Sequence, residues 1–519
     1  MPQRAEPGLL GTNGRGKHGK DGEMNISAPR LILCFCFSLA LGVTGSTATR
    51  APQIWDEAAL ADWATPIASL KVRPGHYSAA EYYAAPSDNL RTYPVYRPDR
   101  EPPGYWEWLQ KQKPEPLVDV TKIRNPQDWI AAGARAFREM DDPSTRSGDA
   151  ALIARARDAE TFAGVPGLAD GSVFQPRWVI TDRGLMLSNL DCASCHRTVN
   201  ADRTIQYAAP LATIPTDGPV GAANAFRLGS VTRPFPGDTA GAVFKRMFDV
   251  PWNPDSRLER FFTLTRAGGV FANPHGVIPR PNGSPLYGTR VPDLHVLRYS
   301  RYIDATGTHR LRGPEDVGRY AALITGADVM DFGPHRMLSD EQRKLRYRHA
   351  DEVLYAIGAY LLSLEPPKNP NAPPADLVKR GEDVFRREKC GACHPKPDYT
   401  TGELTPAIGF DVPFDHPNFG DVRDRSVGTD PGLALRTRKG TGFYKIPSLR
   451  GLWYRPRLMH DASIVTLEEL FEPARLDPDY ERKGWSPPGV TRGAIPGLEF
   501  LTKLTPEDKR ALIAFLRSL

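Results

Sequence analysis

The sequence predicts a mainly α-helical protein with two similar helical domains, long irregular connections and an extended N-terminal arm. Three observations support this fold class. A Cys-x-x-Cys-His motif occurs twice, apolar residues repeat with helical spacing around both copies, and fifty prolines and forty-six glycines interrupt regular structure. With 519 residues, the chain is long enough to form more than one hydrophobic core.

Each copy of the motif brings together two thiols and an imidazole in the pattern that attaches a haem. Two cysteines at this spacing form thioethers with the vinyl groups of the porphyrin, and the histidine binds the iron. The sequence therefore predicts two covalently bound haem c groups, held in domains of the cytochrome c type. The residues concerned are the cysteines Cys192, Cys195, Cys390 and Cys393, and the proximal iron ligands His196 and His394.

Other uses of a Cys-x-x-Cys pair explain the sequence less well. A redox dithiol does not need the following histidine, and a zinc ion needs two further ligands for each pair. The remaining cysteines, Cys34 and Cys36, lie in a segment that we predict to be removed. A metal site or a disulfide is the alternative to haem.

Residues 1–48 have the composition of an export signal. A basic start precedes the apolar residues 31–43, a stretch too short to span a bilayer, and residues 46–48 resemble a cleavage site. Met24 is an alternative start that gives a signal of ordinary length, and a single anchoring helix is the alternative interpretation. Because haem c is attached outside the bacterial cytoplasm, we predict a periplasmic or secreted protein with no stable membrane span.

The remaining chain divides where its composition changes. Residues 49–120 are rich in aromatic residues and proline, and we predict an arm packed on another domain; a substrate role for the rings is the alternative. Residues 121–366 and 375–519 are the two predicted haem domains, separated by a stiff proline-rich linker. The net charge is +6, but no stretch of the sequence interleaves basic and aromatic residues in the way that nucleic-acid-binding surfaces do. We therefore predict no nucleic-acid partner.

An internal repeat supports the two haem domains. Near the start of each, a glycine, a phenylalanine and an arginine have the same spacing, and each domain ends in a helix with apolar residues at i, i+3, i+4 and i+7. In a small cytochrome c domain the first and last helices cross over the haem edge, so we predict one crossing pair per domain. The aligned residues are Gly133, Phe137 and Arg138 with Gly381, Phe385 and Arg386, and Ile357, Tyr360, Leu361 and Leu364 with Leu512, Phe515, Leu516 and Leu519.

Two runs in the second domain resemble the bacterial diheme cytochrome c peroxidase superfamily. They are residues 444–454, YKIPSLRGLWY, and residues 458–463, LMHDAS. Over residues 120–519, and with so long a first domain, the chain is most similar to the diheme rubber oxygenase-like branch. The resemblance implies that the second haem receives electrons from a small redox protein and that the first reacts with peroxide or dioxygen. It also implies an interdomain calcium ion, for which the sequence shows no recognisable loop.

The sixth ligand of the second haem is predicted to come from one of two adjacent residues. His460 is favoured, because the family pattern centres on this histidine, and Met459 is the alternative. Both lie about as far beyond His394 as the methionine of a small cytochrome c lies beyond its own motif. We expect Asp461 or a backbone carbonyl to hold the other nitrogen of His460.

The distal side of the first haem has no clear ligand in the sequence. His309, flanked by Arg310 and Arg312, is the candidate catalytic base, and an open apolar face is the alternative that the resemblance implies. Trp178 and Trp252 are candidate relays between the haems, or else core residues. The histidines considered for this side of the haem are His275, His295, His309 and His335.

Three functions remain open on these grounds. The first is an exported diheme oxidoreductase that acts on peroxide or dioxygen, with a small redox protein as partner. The second is a pure electron-transfer cytochrome in which both irons have two protein ligands. The third is an oxygenase that cleaves an apolar hydrocarbon, which would reach the iron through a channel in the long first domain.

Overall fold

The fold is known from a computed structural model, in which Ala48–Leu519 forms one compact unit. The predicted export signal lies outside the described residues. Within the described residues, no helix is long and apolar enough to cross a bilayer. The structure describes residues 51–162, 167–210, 245–265, 276–278 and 283–519.

Two pairs of long helices cross, one in each half of the unit. Pro126–Glu139 crosses Asp351–Ser363, and we call these two the first helix pair. Ala375–Arg387 crosses Pro506–Ser518, and these two form the second helix pair. Local sequence fixes where such helices begin: Asn125 accepts a hydrogen bond from the third backbone N–H of the first helix, and a proline follows it.

A glycine lies at the crossing point of each pair, where the two backbones touch. A Cβ atom on Gly133 would lie 1.8 Å from the carbonyl oxygen of Ala356, and one on Gly381 would lie 2.0 Å from that of Ala511. Only a residue without a side chain permits this approach. The helices therefore pack at the same point in both halves.

Aromatic rings meet one turn beyond each glycine. The ring centroids of Phe137 and Tyr360 are 5.8 Å apart, and those of Phe385 and Phe515 are 5.2 Å apart. Tilted rings at these separations pack favourably. The residues that meet are those that the internal repeat aligns.

The N-terminal segment packs on the helix Pro314–Ile324, which lies against Asp351–Ser363. Trp55 and Tyr82 stack with centroids 4.4 Å apart, and both side chains are fully buried, as is Trp63. Burial of such large rings stabilises the contact. The segment that the sequence predicts to be an extended arm thus contains short helices and two strands.

A three-stranded antiparallel sheet leads into the first motif. It consists of Thr92–Tyr96, Ser172–Thr181 and Gly184–Asn189, with the longest strand in the centre. The last strand ends three residues before Cys192, so the sheet positions the first motif. Two of its strands lie between Phe137 and that cysteine, a stretch about 50 residues longer than the one between Phe385 and Cys390 in the second half. The sheet was not among the predicted elements.

The other elements are short. The two-stranded pairings are Ser87–Asp88 with Arg348–His349, Arg197–Val199 with Ile205–Tyr207, Val277–Ile278 with Thr289–Arg290, Tyr302–Ile303 with His309–Arg310, Asp331–Phe332 with His335–Arg336, and Leu404–Pro406 with Phe443–Lys445. The other α-helices are Glu57–Ala61, Ala79–Ala84, Tyr105–Leu109, Ala150–Arg155, Cys192–Cys195, Ser256–Thr265, Gly432–Arg436 and Leu467–Phe471. The 3-10 helices are Val120–Lys122, Pro143–Thr145, Glu160–Phe162, Leu294–Tyr299, Cys390–Ala392, Phe419–Asp421, Leu452–Tyr454, Pro473–Leu476 and Glu499–Lys503.

Candidate haem centres

The first motif forms a single helical turn. Cys192–Cys195 is a four-residue helix, and the backbone N–H of His196 donates to the carbonyl of Cys192 at 3.2 Å. This turn brings both thiols to one side, and Cys192 packs against the core of the first helix pair. Neither cysteine is in a disulfide. The thiols are therefore placed to attach one group on the surface of that core.

The second motif repeats this geometry. The backbone N–H of His394 donates to the carbonyl of Cys390 at 2.9 Å, and Cys390 packs against the core of the second helix pair. Neither Cys390 nor Cys393 is in a disulfide. Burial raises the pKa of the Cys390 thiol to about 11. A thiol that resists ionisation is a poor redox nucleophile, which argues against the dithiol alternative.

Both motif histidines are oriented by a backbone carbonyl. Nδ1 of His196 lies 3.3 Å from the carbonyl oxygen of Pro292, and Nδ1 of His394 lies 3.0 Å from that of Tyr399. A carbonyl can only accept, so in each ring Nδ1 bears a hydrogen and donates it. Burial also lowers the pKa of His394, which keeps its ring neutral. A neutral imidazole with Nδ1 held in this way is the form that binds iron through Nε2, so the residues fit a haem.

The two candidate sixth ligands have different surroundings. Met459 has a left-handed backbone, with φ 66°, and packs against the hydrophobic cluster that also contacts Cys390. The ring of His460 packs on Tyr444 with centroids 4.4 Å apart, and its Nε2 lies 3.3 Å from the tyrosine hydroxyl. Met459, the alternative to His460, therefore packs against the same cluster as Cys390, whereas His460 packs on Tyr444.

The Nε2 of His460 faces the hydroxyl of Tyr444. The carboxylate of Asp461 accepts from the backbone N–H of Ser463 at 3.0 Å. The hydroxyl hydrogen of Tyr444 goes to the carbonyl of Asp430, so Nε2 of His460 must donate to the hydroxyl oxygen.

Arg290 holds the loop that carries both candidates, and sequence reasoning missed it. Its Nε donates to the carbonyl of Met459 at 3.1 Å, and its backbone N–H donates to that of His460 at 2.9 Å. Burial lowers the pKa of Arg290 to about 10, so it remains charged at neutral pH. The strand Thr289–Arg290 therefore fixes the position of this loop.

His309, the predicted catalytic base, is fully buried in an aromatic cluster. Its ring lies 4.2 Å from that of Trp63 between centroids, and its Nδ1 lies 2.9 Å from the hydroxyl of Thr308. Its buried Nε2 has no hydrogen-bond partner among the residues that the structure describes. The flanking Arg310 and Arg312 form ion pairs with Asp62, Asp421 and Asp316. The arginines are thus already neutralised by carboxylates.

The other histidine candidates are spread over the fold. Nδ1 of the buried His295 lies 3.0 Å from a carboxylate oxygen of Asp293, close to the carbonyl that holds His196. His335 packs its ring 4.9 Å from that of Trp252. His275 lies outside the described residues. Of the candidates that the structure describes, His295 is therefore tied most closely to the first motif.

The two tryptophans proposed as relays lie in packed clusters. Trp178 is fully buried, with its ring centroid 5.3 Å from that of Trp106. Trp252 packs 5.2 Å from Phe332, and its Nε1 donates to the hydroxyl of Ser69 at 3.1 Å. Trp178 thus has the contacts of a core residue, whereas Trp252 is half-buried.

The described part of the chain contains no group of three or more His, Cys, Asp and Glu side chains arranged to hold a metal ion. A structural zinc site would call for such a group. The haem motifs need only one histidine each, so this finding does not bear on them.

Comparison with known proteins gives structural neighbours only. No family profile and no curated protein matches the sequence. The diheme peroxidase BthA from Burkholderia thailandensis is 17% identical, with a TM-score of 0.28, over 79% of this chain and 91% of that chain. A MauG-like protein associated with microbial copper homeostasis is 21% identical, with a TM-score of 0.19, over 33% of this chain and 56% of that one. Hydrazine synthase from Kuenenia stuttgartiensis is 15% identical, with a TM-score of 0.26, over 45% and 72%.

Proposed function

We propose that the protein is an exported diheme c-type cytochrome that works as an oxidoreductase on peroxide or dioxygen. One observation carries the proposal: each Cys-x-x-Cys-His turn presents two thiols that are not in a disulfide next to an imidazole whose Nδ1 donates to a backbone carbonyl. Two such turns on equivalent helix crossings favour two haems. Haem iron supplies one-electron transfer and, where one face is open, binding of oxygen species.

The residues of this chain have distinct roles in the proposal. Cys192, Cys195, Cys390 and Cys393 attach the two haems, and His196 and His394 bind the irons. The second haem receives electrons from a small redox protein, because the loop with Met459 and His460 provides its sixth ligand. The first haem has no assigned distal ligand and is the proposed site of reaction.

The organisation of the chain follows the same proposal. Residues 121–366 and 375–519 are two cytochrome c-like domains, each closed by one helix pair. Residues 1–48 direct the chain to the periplasm or outside the cell, where haem c is attached. The N-terminal segment covers the first domain with its aromatic cluster.

Ligand binding to the purified protein separates this function from its alternatives. We expect one haem to be high-spin or to bind carbon monoxide after reduction. Two low-spin haems that do not bind carbon monoxide would indicate a pure electron-transfer cytochrome. Oxygen uptake that depends on an added hydrocarbon would instead indicate the oxygenase, and peroxide turnover without such uptake would reject it.

A further inference from the structure

We propose that the buried ion pair of Asp293 and Arg455 is a positioning element that fixes the proximal ligands His196 and His394 together and sets the electrostatics of both haem centres. The inference deepens the proposed function and rests on it, because it requires two haems. The pair lies between the two segments whose carbonyls orient the motif histidines.

On the first side, the carboxylate is tied to the segment that holds His196. Pro292, which accepts from His196, directly precedes Asp293, and the Asp293 side chain is only 1% exposed. One carboxylate oxygen accepts from the backbone N–H of His295 at 3.1 Å and is 3.0 Å from its Nδ1. The position of the Pro292 carbonyl thus depends on what the carboxylate binds.

At the centre, two side chains of the second half meet the same carboxylate. Its other oxygen is 3.3 Å from Nε of Arg455 and accepts from the hydroxyl of Tyr454 at 2.5 Å. Burial opposes ionisation of Asp293, but the hydrogen bond from His295 and the charge of Arg455 keep its pKa below the ordinary value. The Arg455 side chain is 3% exposed, so either charge would be uncompensated without the other.

On the side of the second haem motif, Arg455 donates hydrogen bonds to the backbone segment that contacts the loop of His394. Its guanidinium donates to the carbonyls on either side of Leu449, at 2.9 Å for Nη1 to Ser448. The backbone N–H of Leu449 donates to the carbonyl of Tyr399 at 3.2 Å. That same carbonyl accepts from Nδ1 of His394 at 3.0 Å. Hydrogen bonds and the backbone steps from Pro292 to Asp293 and across Leu449 therefore connect one motif histidine to the other through this ion pair.

Because the two side chains carry opposite charges, their removal should shift the reduction potentials in opposite directions, which a packing role would not do. Loss of the carboxylate leaves an unbalanced cation between the centres, which stabilises the more electron-rich reduced state of both haems. Loss of the guanidinium leaves an unbalanced anion and has the opposite effect. General loosening of the fold would not reverse its effect between the two variants.

The test is a spectroelectrochemical titration of the full mature holoprotein. We expect Asp293→Asn to raise both midpoint potentials and Arg455→Gln to lower both, with the double variant returning towards the wild type. Asp316→Asn is the matched control: it removes a carboxylate, 2% exposed, from the buried pair with Arg319, and it should move neither potential.

Several outcomes would overturn the proposal. These are a shift confined to one haem, shifts of the same sign in both single variants, or equal shifts in Asp316→Asn. If a single variant fails to fold, Tyr454→Phe keeps the ion pair and removes one hydrogen bond from the carboxylate. This variant should then lower both potentials, by less than Arg455→Gln does. Unchanged potentials in Tyr454→Phe would reject the inference. A wild-type protein without attached haem would instead reject the proposed function, and the inference with it.

Discussion

Two adjacent residues compete for the iron of the second haem. The side chain of Met459 packs into the cluster that contacts Cys390, while the ring of His460 lies on Tyr444 and donates to its hydroxyl. A ring engaged in this way must break that hydrogen bond to bind iron through Nε2. The packing therefore favours Met459, although the sequence pattern favours His460.

Substitution of each residue tests this choice. We expect Met459→Leu to convert the second haem to high spin and to lower its reduction potential, because the thioether ligand is lost. His460→Ala should leave the spectrum low-spin. A high-spin haem in His460→Ala with an unchanged Met459→Leu spectrum would return the assignment to the histidine.

Two buried imidazoles predict a pH dependence of stability. Burial lowers the pKa of His76 to about 4 and that of His309 well below its ordinary value. In the unfolded chain both titrate near 6.5, so between pH 6.5 and 4 the unfolded state binds more protons than the folded state. The stability present above pH 6.5 is therefore lost as the pH falls through this window.

Denaturant unfolding between pH 7 and pH 5 checks this expectation. The free energy of unfolding should fall with decreasing pH, and His76→Gln should reduce the slope by one proton, about 1.4 kcal/mol per pH unit. A slope unchanged by this substitution would show that His76 is already protonated in the folded protein.

Functional residues can be predicted from the sequence where their chemistry fixes their spacing. Residues whose partners lie far along the chain are missed. The motif cysteines and histidines are recognisable because thioether attachment requires one arrangement. Arg290, Asp293 and Arg455 give no such pattern, since their partners lie far along the chain; Asp293 and Tyr454 are 161 residues apart. A buried charge of this kind cannot be distinguished in sequence from an ordinary surface residue.

At the scale of elements, helices are predicted better than strands. The terminal helices of each half follow from apolar residues at i, i+3, i+4 and i+7. The two-stranded pairings have strands of only two or three residues, too short to show an alternating pattern. Two strands of the three-stranded sheet lie between Phe137 and Cys192, in a stretch that has no counterpart in the second half, so the internal repeat gave no information about the sheet.

The helix crossings predict the effect of adding one methyl group. Gly381→Ala should destabilise the fold by about 1–3 kcal/mol, because its Cβ would collide with the backbone of Ala511. Gly420→Ala is the matched control, since nothing lies within 4 Å of a Cβ there. Thermal unfolding of both variants measures the difference. Equal unfolding temperatures would contradict close contact between the second pair of helices.

At the scale of the whole molecule, the described residues from the N-terminal segment to the last helix form one unit. The aromatic cluster of Trp55, Trp63 and Tyr82 joins the N-terminal segment to the first half. The ion pair of Asp293 and Arg455 and the bonds of Arg290 join the two halves. The composition of the sequence predicts where the segments begin and end. The contacts that join the segments are long-range and can be seen only in the folded structure.

The central claim is that this chain carries two haems through thioether bonds. Mass spectrometry of the mature protein, made in a host that attaches haem c, tests it most directly. We predict the mass of the polypeptide plus two haems, with one haem lost in Cys192→Ala/Cys195→Ala and the other lost in Cys390→Ala/Cys393→Ala. A wild-type mass equal to that of the polypeptide alone would contradict the account.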